Sequence, residues 1–214
     1  PVSEFDELSR VIPIIRALRD ESDVLVSIDT SKARVAEAAL EAGANIINDV
    51  AGLRSDVRML EAAAATNAGI IIMHMKGDPR TMQAAPHYED ACKEVAAFFQ
   101  EREATALAAG ISPYRILFDP GIGFGKMVAH NLQLLENLDY LSPGGRPVLL
   151  GVSRKSFIGR VLDSDEIADR YWPTIALTSF ARERGARVFR VHDVGPNVHA
   201  LRMTEAILSR GKAG

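Results

Sequence analysis

The sequence predicts an α/β fold, a TIM-type (β/α)8 barrel of which about six βα units lie in this chain. Short β-branched runs alternate with longer stretches of helical periodicity, and these runs are nearly continuously apolar, as in parallel strands buried on both faces. Polar residues also follow the end of every predicted strand. In a barrel all strand ends converge on one mouth, whereas a doubly wound sheet, the alternative, collects its ligand groups at one switch point.

The elements follow one another without a low-complexity linker. Residues 3–20 have helical spacing of apolar residues, with Pro13 inside the pattern, and no strand precedes them. The first strand is expected at 24–28, and Asp29-Thr30-Ser31 then offers N-cap oxygens to a helix. The other strands are expected at 45–48, 69–74, 115–119, 148–151 and 187–192, and a closing helix at 196–209.

Composition excludes several classes of protein. With 47% apolar and 25% charged residues, the chain is neither disordered nor collagen-like, and no apolar run approaches the roughly 18 residues of a membrane span. A net charge of -3 gives no excess of positive charge for nucleic acid. The acidic opening lacks a secretory leader, and the single cysteine, Cys92, forms no internal disulfide, so a reducing cytoplasm is the expected compartment.

The segment FDPGIGFGK, residues 118–126, carries three glycines at alternate positions after a strand. Glycine permits positive φ and close approach of the backbone to a ligand. A P-loop is excluded because Lys126 is followed by Met127, and a dinucleotide fingerprint is excluded because Lys126 stands where glycine is needed. A structural turn remains the alternative, but Asp119, a carboxylate at the end of a buried strand, calls for a ligand or a donor.

Two basic segments favour an anion. Ser153 is expected to cap a helix with Arg154, Lys155 and Ser156 in its first turn, where cations oppose the helix dipole unless an anionic ligand offsets them. A solvated basic turn is the alternative. Arg190 and His192 are expected on one face of the last strand and suit a phosphate or pyrophosphate, although a lone histidine is more often structural.

The remaining strand ends suit an aromatic heterocycle. Asp29 and Asn48 offer acceptor and amide groups to a ring edge with several N–H donors. Met73 and Met75 provide either a polarisable wall or ordinary core packing. His74 has no second histidine at ligand spacing, so a protein-held zinc is not expected. Cys92 is placed in a helix away from these ends, which argues against a catalytic thiol.

Taken together, the strand-end motifs resemble those of bacterial dihydropteroate synthases, in order and over essentially the whole chain. They are SIDTSK at 27–32, IIND at 46–49, MHMKGDP at 73–79, DPGIGFGK at 119–126, GVSRKS at 151–156 and RVHD at 190–193. The resemblance implies a TIM barrel that condenses 6-hydroxymethyl-7,8-dihydropterin pyrophosphate with para-aminobenzoate to 7,8-dihydropteroate and pyrophosphate in folate biosynthesis. It also implies Mg2+ as cofactor, sulfonamides as inhibitors and a homodimer, with residues 196–209 as its interface.

The resemblance also implies a role for each matching residue. The catalytic residues are Asp29, Asp119 and Lys155. The pterin would be bound by Asp29, Asn48, Met73, Asp119, Phe124, Gly151, Lys155 and Arg190. Pyrophosphate would be held by Arg190 and His192, and para-aminobenzoate by Phe124, Lys155 and Ser156.

One departure from the family pattern is expected to matter. The family's first two βα units, which carry an Asn-Val-Thr-Pro-Asp-Ser-Phe-Ser loop and a Ser-Thr-Arg-Pro loop, have no counterpart in this sequence. We therefore expect residues 1–214 to form a single pterin-binding barrel domain that is incomplete on its N-terminal side, with no metal ligand in the chain. Two alternatives stay open: a pterin-binding methyltransferase acting from methyltetrahydrofolate to a corrinoid protein, and a truncated pterin-binding remnant without activity.

Overall fold

The computed structural model describes residues 2–77 and 81–210, so Asp78 and Pro79 of the third motif lie outside the described residues. The strands are β1 (Ser27–Asp29), β2 (Ile46–Asp49), β3 (Gly69–Met73), β4 (Ile116–Asp119), β5 (Val148–Leu150) and β6 (Ala186–Phe189). The α-helices are α1 (Glu4–Glu21), α2 (Ala33–Glu41), α3 (Met59–Ala64), α4 (Ala91–Ala108), α5 (Val128–Glu136), α6 (Ser156–Leu162), α7 (Tyr171–Glu183) and α8 (Val194–Arg210). Strands and helices alternate as the sequence predicts, except that two helices, α6 and α7, lie between β5 and β6.

The chain divides into two compact units. The first comprises Pro1–His74 and Phe99–Phe118, and the second comprises Met75–Phe98 and Asp119–Gly214. Strand order follows the chain in each, with β1-β2-β3-β4 in the first unit and β5-β6 in the second. The expectation of one domain over residues 1–214 stays a prediction.

In the first unit, parallel pairing brings polar strand ends side by side. Asp29 of β1 is in register with Asn48 of β2, and β2 pairs in parallel with β3. Behind β1, α1 and α2 pack a core around Ile15, Ile28 and Val35, each at most 6% exposed. This apolar layer anchors the strand so that its carboxyl end can carry a polar side chain.

In the second unit, β5 and β6 pair in parallel with one irregularity between Val148 and Leu149. The pairing continues past the end of β6, where the Arg190 N–H donates to the Leu150 carbonyl at 3.0 Å. The carboxyl ends of both strands therefore carry the second unit's basic residues to a common edge.

Several expected boundaries are wrong for identifiable reasons. β1 begins at Ser27 instead of Val24, and Val24 and Leu25 are 54% and 72% exposed. Burial on both faces fails in β1 and β6, which are first and last in the strand order. The cap expected for α2 also fails: the N-cap is Lys32, and the Thr30 hydroxyl donates to Glu7 at 2.5 Å.

Cys92 lies buried in α4, as expected, and burial raises the pKa of its thiol to about 11. A thiol that stays protonated is a poor nucleophile, in line with the expectation that Cys92 does no chemistry. Across residues 2–77 and 81–210, every helix is too short or too polar to span a membrane.

Candidate active site

In the first unit, the strand ends present an amide and a carboxylate. Asp29 is exposed at the end of β1, and its neighbour Asn48 is 8% exposed. The Asn48 Oδ1 atom is buried and has no hydrogen-bond partner among the described residues. Met73, 2% exposed, ends β3. Since a buried acceptor without a donor is costly, this oxygen marks a place where a ligand N–H would be stabilised.

The residue after Asn48 has a different role. The fully buried carboxylate of Asp49 accepts hydrogen bonds from the backbone N–H groups of Ala51 at 2.9 Å and Leu53 at 2.8 Å. Burial raises the pKa of Asp49, and these donors oppose that rise. Asp49 thus holds the turn after β2, in which Leu53 has a φ of 60°.

β4 ends at Asp119, where the second unit continues, and the chain then enters residues 121–125, which we call the glycine loop. Its glycines have φ values of 63° at Gly121, 82° at Gly123 and 63° at Gly125, as the sequence predicts. A Cβ on Gly125 would lie 2.0 Å from the Lys76 carbonyl oxygen. The Asp119 carboxylate accepts a hydrogen bond from the Gly121 N–H at 2.7 Å. The loop therefore requires glycine on two counts, conformation and space.

Charges of both signs meet at Asp119. The side chain is 7% exposed, and burial raises its pKa, while the nearby positive charges of Lys155, Lys126 and Arg190 oppose the rise. Burial likewise lowers the pKa of Lys155 to about 8, against the attraction of Asp119. Such a buried cluster of charges is typical of a site that stabilises charge during a reaction.

Lys155 connects the basic segment to the glycine loop. Its Nζ donates to the Ile122 carbonyl oxygen and lies 4.6 Å from the centre of the Phe124 ring. Nothing lies within 4 Å of a Cβ built on Gly151, at the end of β5. Lys155, Phe124 and Asp119, three of the predicted site residues, are thus brought together beside open space in the second unit.

The helix cap predicted after β5 is wrong. α6 begins at Ser156 with Lys155 as its N-cap, so Ser156 alone of the predicted residues lies in the first turn, where it is exposed. Ser153 instead shares a hydrogen bond of 2.8 Å with Nδ1 of His192. Arg154 adopts a φ of 58° and pairs with Asp193 at 2.7 Å. Arg154 and Lys155 therefore precede the first turn of α6 instead of lying in it, with Lys155 at the helix N-terminus.

The residues of the last motif lie just past β6, which ends at Phe189, and not on the strand as expected. His192 is held by Ser153 through its ring and through its backbone N–H, which donates to the Ser153 hydroxyl at 3.2 Å. The Arg190 backbone is tied to Leu150. His192 is thus held by the loop after β5, and the backbone of Arg190 by the last residue of β5.

Sequence reasoning missed Lys126, used there only to exclude nucleotide loops. Lys126 is 1% exposed and donates to the carbonyl oxygens of Gly121 at 3.0 Å and Phe124 at 3.1 Å. Burial lowers the pKa of its ammonium to about 7. The available signal was a lysine placed directly between a glycine-rich segment and an apolar helix.

A metal centre finds no support in the described ranges 2–77 and 81–210, where no group of three or more His, Cys, Asp and Glu side chains could hold an ion.

Comparison with known proteins places these residues in a family. Residues 1–192 match the family of pterin-binding enzymes. A dihydropteroate synthase of Synechocystis sp. is 43% identical over 206 residues, which are 96% of this chain and 71% of that protein.

Two solved structures are also similar. The Yersinia pestis dihydropteroate synthase in complex with a sulfonamide drug has a TM-score of 0.93 and 42% identity, covering 98% of this chain and 76% of that one. The Xanthomonas albilineans enzyme in complex with 7,8-dihydropteroate has a TM-score of 0.90 and 42% identity, covering 97% and 76%. The predicted fold class, a (β/α)8 barrel with about six βα units in this chain, is confirmed.

Proposed function

Because the chain belongs to the dihydropteroate synthase family of pterin-binding enzymes, we propose how its own residues carry out that family's reaction. The reaction is the condensation of 6-hydroxymethyl-7,8-dihydropterin pyrophosphate with para-aminobenzoate, which yields 7,8-dihydropteroate and pyrophosphate. The observation that carries the proposal is the buried Asp119 carboxylate, which lies under the glycine loop and is surrounded by cations.

Recognition of the pterin is assigned, from the family resemblance, to residues at the strand ends. Asp29 accepts hydrogen bonds at the ring edge, and Asn48 both accepts and donates them. The unpartnered Oδ1 of Asn48 supports this role. Asp119 and Lys155 contribute the charged partners, and Arg190 stacks on the ring. Met73, Phe124 and Gly151 line its faces; the open space beside Gly151 supports that assignment.

Binding of the second substrate and the leaving group is assigned to the second unit. Arg190 and His192 hold pyrophosphate; the support is that both follow β6, that the Arg190 backbone is bonded to the end of β5, and that Ser153 holds His192. Para-aminobenzoate is received by Phe124, Lys155 and Ser156. Ser156 is the exposed first residue of α6, and Lys155 lies over the Phe124 ring.

The chemistry is a substitution at the pterin methylene carbon. The C–O bond to pyrophosphate breaks with its electron pair going to pyrophosphate, which leaves a carbocation conjugated to the ring. Asp29 and Asp119 stabilise this positive charge electrostatically, and Asp119 contributes more because its carboxylate is buried and held in place before the reaction. The amine of para-aminobenzoate then attacks the carbon through its lone pair, and the nitrogen releases a proton. No covalent intermediate with the enzyme forms.

Mg2+ is proposed from the family resemblance alone. No step above passes through the metal, which usually binds through one or two carboxylates together with water and substrate phosphates. A titration of the reaction rate with MgCl2 and EDTA tests whether the ion takes part; equal rates with and without EDTA would remove it from the proposal.

Other partners are proposed on the same basis. Sulfonamides compete for the para-aminobenzoate position, as the drug complex of the Yersinia pestis relative suggests. The enzyme works in the cytoplasm as a homodimer, through the helix expected at 196–209, within α8. On this helix Met203 and Ile207 are 65% and 67% exposed, which supports an apolar interface.

The deciding experiment measures pyrophosphate release by the chain with pterin pyrophosphate and para-aminobenzoate together and with each alone. We expect release, with dihydropteroate formed in equal amount, when both are present. Release that does not need para-aminobenzoate would contradict the proposal. Methyl transfer from methyltetrahydrofolate would support the corrinoid-dependent alternative, and pterin binding without turnover would identify an inactive remnant.

A further inference from the structure

We propose that Lys126 is a positioning residue of the reaction: its buried ammonium fixes the glycine loop and thereby the placement of Phe124, Lys155 and Asp119 around the pterin. The inference rests on the function proposed above. It adds a residue whose side chain touches neither substrate and acts through the loop.

The geometry of Lys126 is that of an internal brace. Its Nζ donates to the carbonyl oxygens of Gly121 at 3.0 Å and Phe124 at 3.1 Å, which lie at two different points of the glycine loop. A single ammonium thus links two separate backbone positions in the connection between β4 and α5. Charged donors make stronger hydrogen bonds than neutral ones, so the brace is stiff.

Three further hydrogen bonds hold the backbone of the glycine loop in place. The Gly123 N–H donates to Asn131 Oδ1 at 2.8 Å, and the Tyr88 hydroxyl donates to the Gly125 carbonyl at 2.9 Å. Lys155 donates to Ile122. A catalytic lysine is therefore attached to the same loop that Lys126 braces, so a displaced loop displaces Lys155 as well.

The charge of Lys126 also reaches the carboxylate at the centre of the site. Lys126 is attracted by Asp119 and repelled by Lys155 and Lys76, and its charge in turn lowers the pKa of His130. Through the same pairing, Lys126 lowers the pKa of Asp119, as Lys155 and Arg190 do. Lys126 therefore favours the ionised form of Asp119 that the carbocation requires.

A purely structural loop would not need this residue. Burying an ammonium is costly, and replacing a buried charge with an apolar side chain of similar volume is often neutral or stabilising. A lysine held at 1% exposure in the same charge cluster as the buried Asp119 points to a contribution to the reaction.

The test compares Lys126→Met and Lys126→Gln with wild type, using Lys93→Met as matched control. Lys93 is 75% exposed on α4 and pairs with Asp90, so its loss leaves the site intact. Pyrophosphate release is followed against pH for each protein, and circular dichroism verifies folding.

We expect Lys126→Met to lower kcat by about 10²-fold, the scale of a misplaced reacting group. The acidic limb of its pH–rate profile should move to higher pH, because ionised Asp119 loses the stabilising charge of Lys126. Lys126→Gln, which keeps a donor without charge, should recover part of kcat and show the same shift of the acidic limb.

The outcomes separate the inference from the function. If wild type releases pyrophosphate and both variants match Lys93→Met in kcat and acidic limb, Lys126 has no positioning role. If Lys126→Met does not fold, the acidic limb of Lys126→Gln decides by itself. If wild type is inactive with both substrates, the proposed function fails, and with it the inference.

Discussion

Asn48 and the polar side chains at the glycine loop differ in how their buried atoms are paired. At the end of β2, Oδ1 of Asn48 is buried without a partner in the described part of the chain. Around the loop, by contrast, Asp119, Lys126 and Asn131 each bond to backbone groups of the loop at 2.7–3.1 Å. The hydrogen bonds of the loop form without a substrate, whereas the Asn48 Oδ1 atom has no donor until a ligand provides one.

This difference separates two tasks. A region whose polar groups are satisfied internally is rigid and can hold charges in a fixed geometry for a transition state. An unsatisfied buried acceptor lowers stability in the free protein and recovers that free energy when a ligand donates to it. The loop is thus suited to the chemical step, and Asn48 to binding of the pterin.

The largest effect is expected from Asp119→Asn, which removes the charge of the rigid region and keeps its shape. We expect kcat to fall by about 10²–10³-fold, the scale for loss of a preorganised electrostatic contact. Stability should change little, because asparagine can still accept from the Gly121 N–H. Pyrophosphate-release kinetics and a thermal melt check both points; an unchanged rate would sink the proposed role.

Gly125→Ala tests whether the loop is as rigid as its geometry indicates. A methyl group there would lie 2.0 Å from the Lys76 carbonyl oxygen at a φ of +63°. The positive φ alone costs about 1–3 kcal/mol for a residue other than glycine, and the overlap adds to it. Gly110→Ala is the control, since its φ is +85° with nothing within 4 Å. Urea unfolding should show the larger loss for Gly125→Ala, and equal losses would contradict a clamped loop.

The pH dependence of kcat probes the buried carboxylate. Burial raises the pKa of Asp119 above the ordinary 3.8, and the reaction needs the ionised form. The rate should therefore decline with falling pH sooner than an exposed aspartate would dictate, by about tenfold per pH unit below that pKa. A profile recorded from about pH 4 to about pH 8 decides this. A rate that stays constant down to about pH 4 would show that the reaction does not require the ionised form of Asp119.

Local patterns predicted much of this architecture. Three alternating glycines after a strand predicted positive φ at Gly121, Gly123 and Gly125, because only glycine adopts that conformation freely. Parallel strands predicted that Asp29 and Asn48 would be neighbours, since carboxyl ends of such strands share an edge. Fold class follows from the same alternation of strands and helices.

The rest depends on partners distant in sequence. Ser153 has the chemistry of a helix cap, yet it bonds to His192, 39 residues away, and the helix starts later. The burial of Lys126 is set by the fold of its loop, and lysine carries no hydrophobic signal that periodicity could detect. Rules based on local sequence patterns detect neither the bond between Ser153 and His192 nor the burial of Lys126.

The contrast between the two regions is tested most directly by Asn48→Leu and Asn131→Leu, two buried asparagines in opposite states. Pterin dissociation constants by calorimetry and unfolding free energies in urea are measured for both. Asn48→Leu should weaken pterin binding by about 3- to 10-fold, the value of one hydrogen bond, without loss of stability. Asn131→Leu should lose stability, because it leaves the Gly123 N–H unpaired. If Asn48→Leu instead destabilises the protein and binds pterin as tightly as wild type, the account is contradicted.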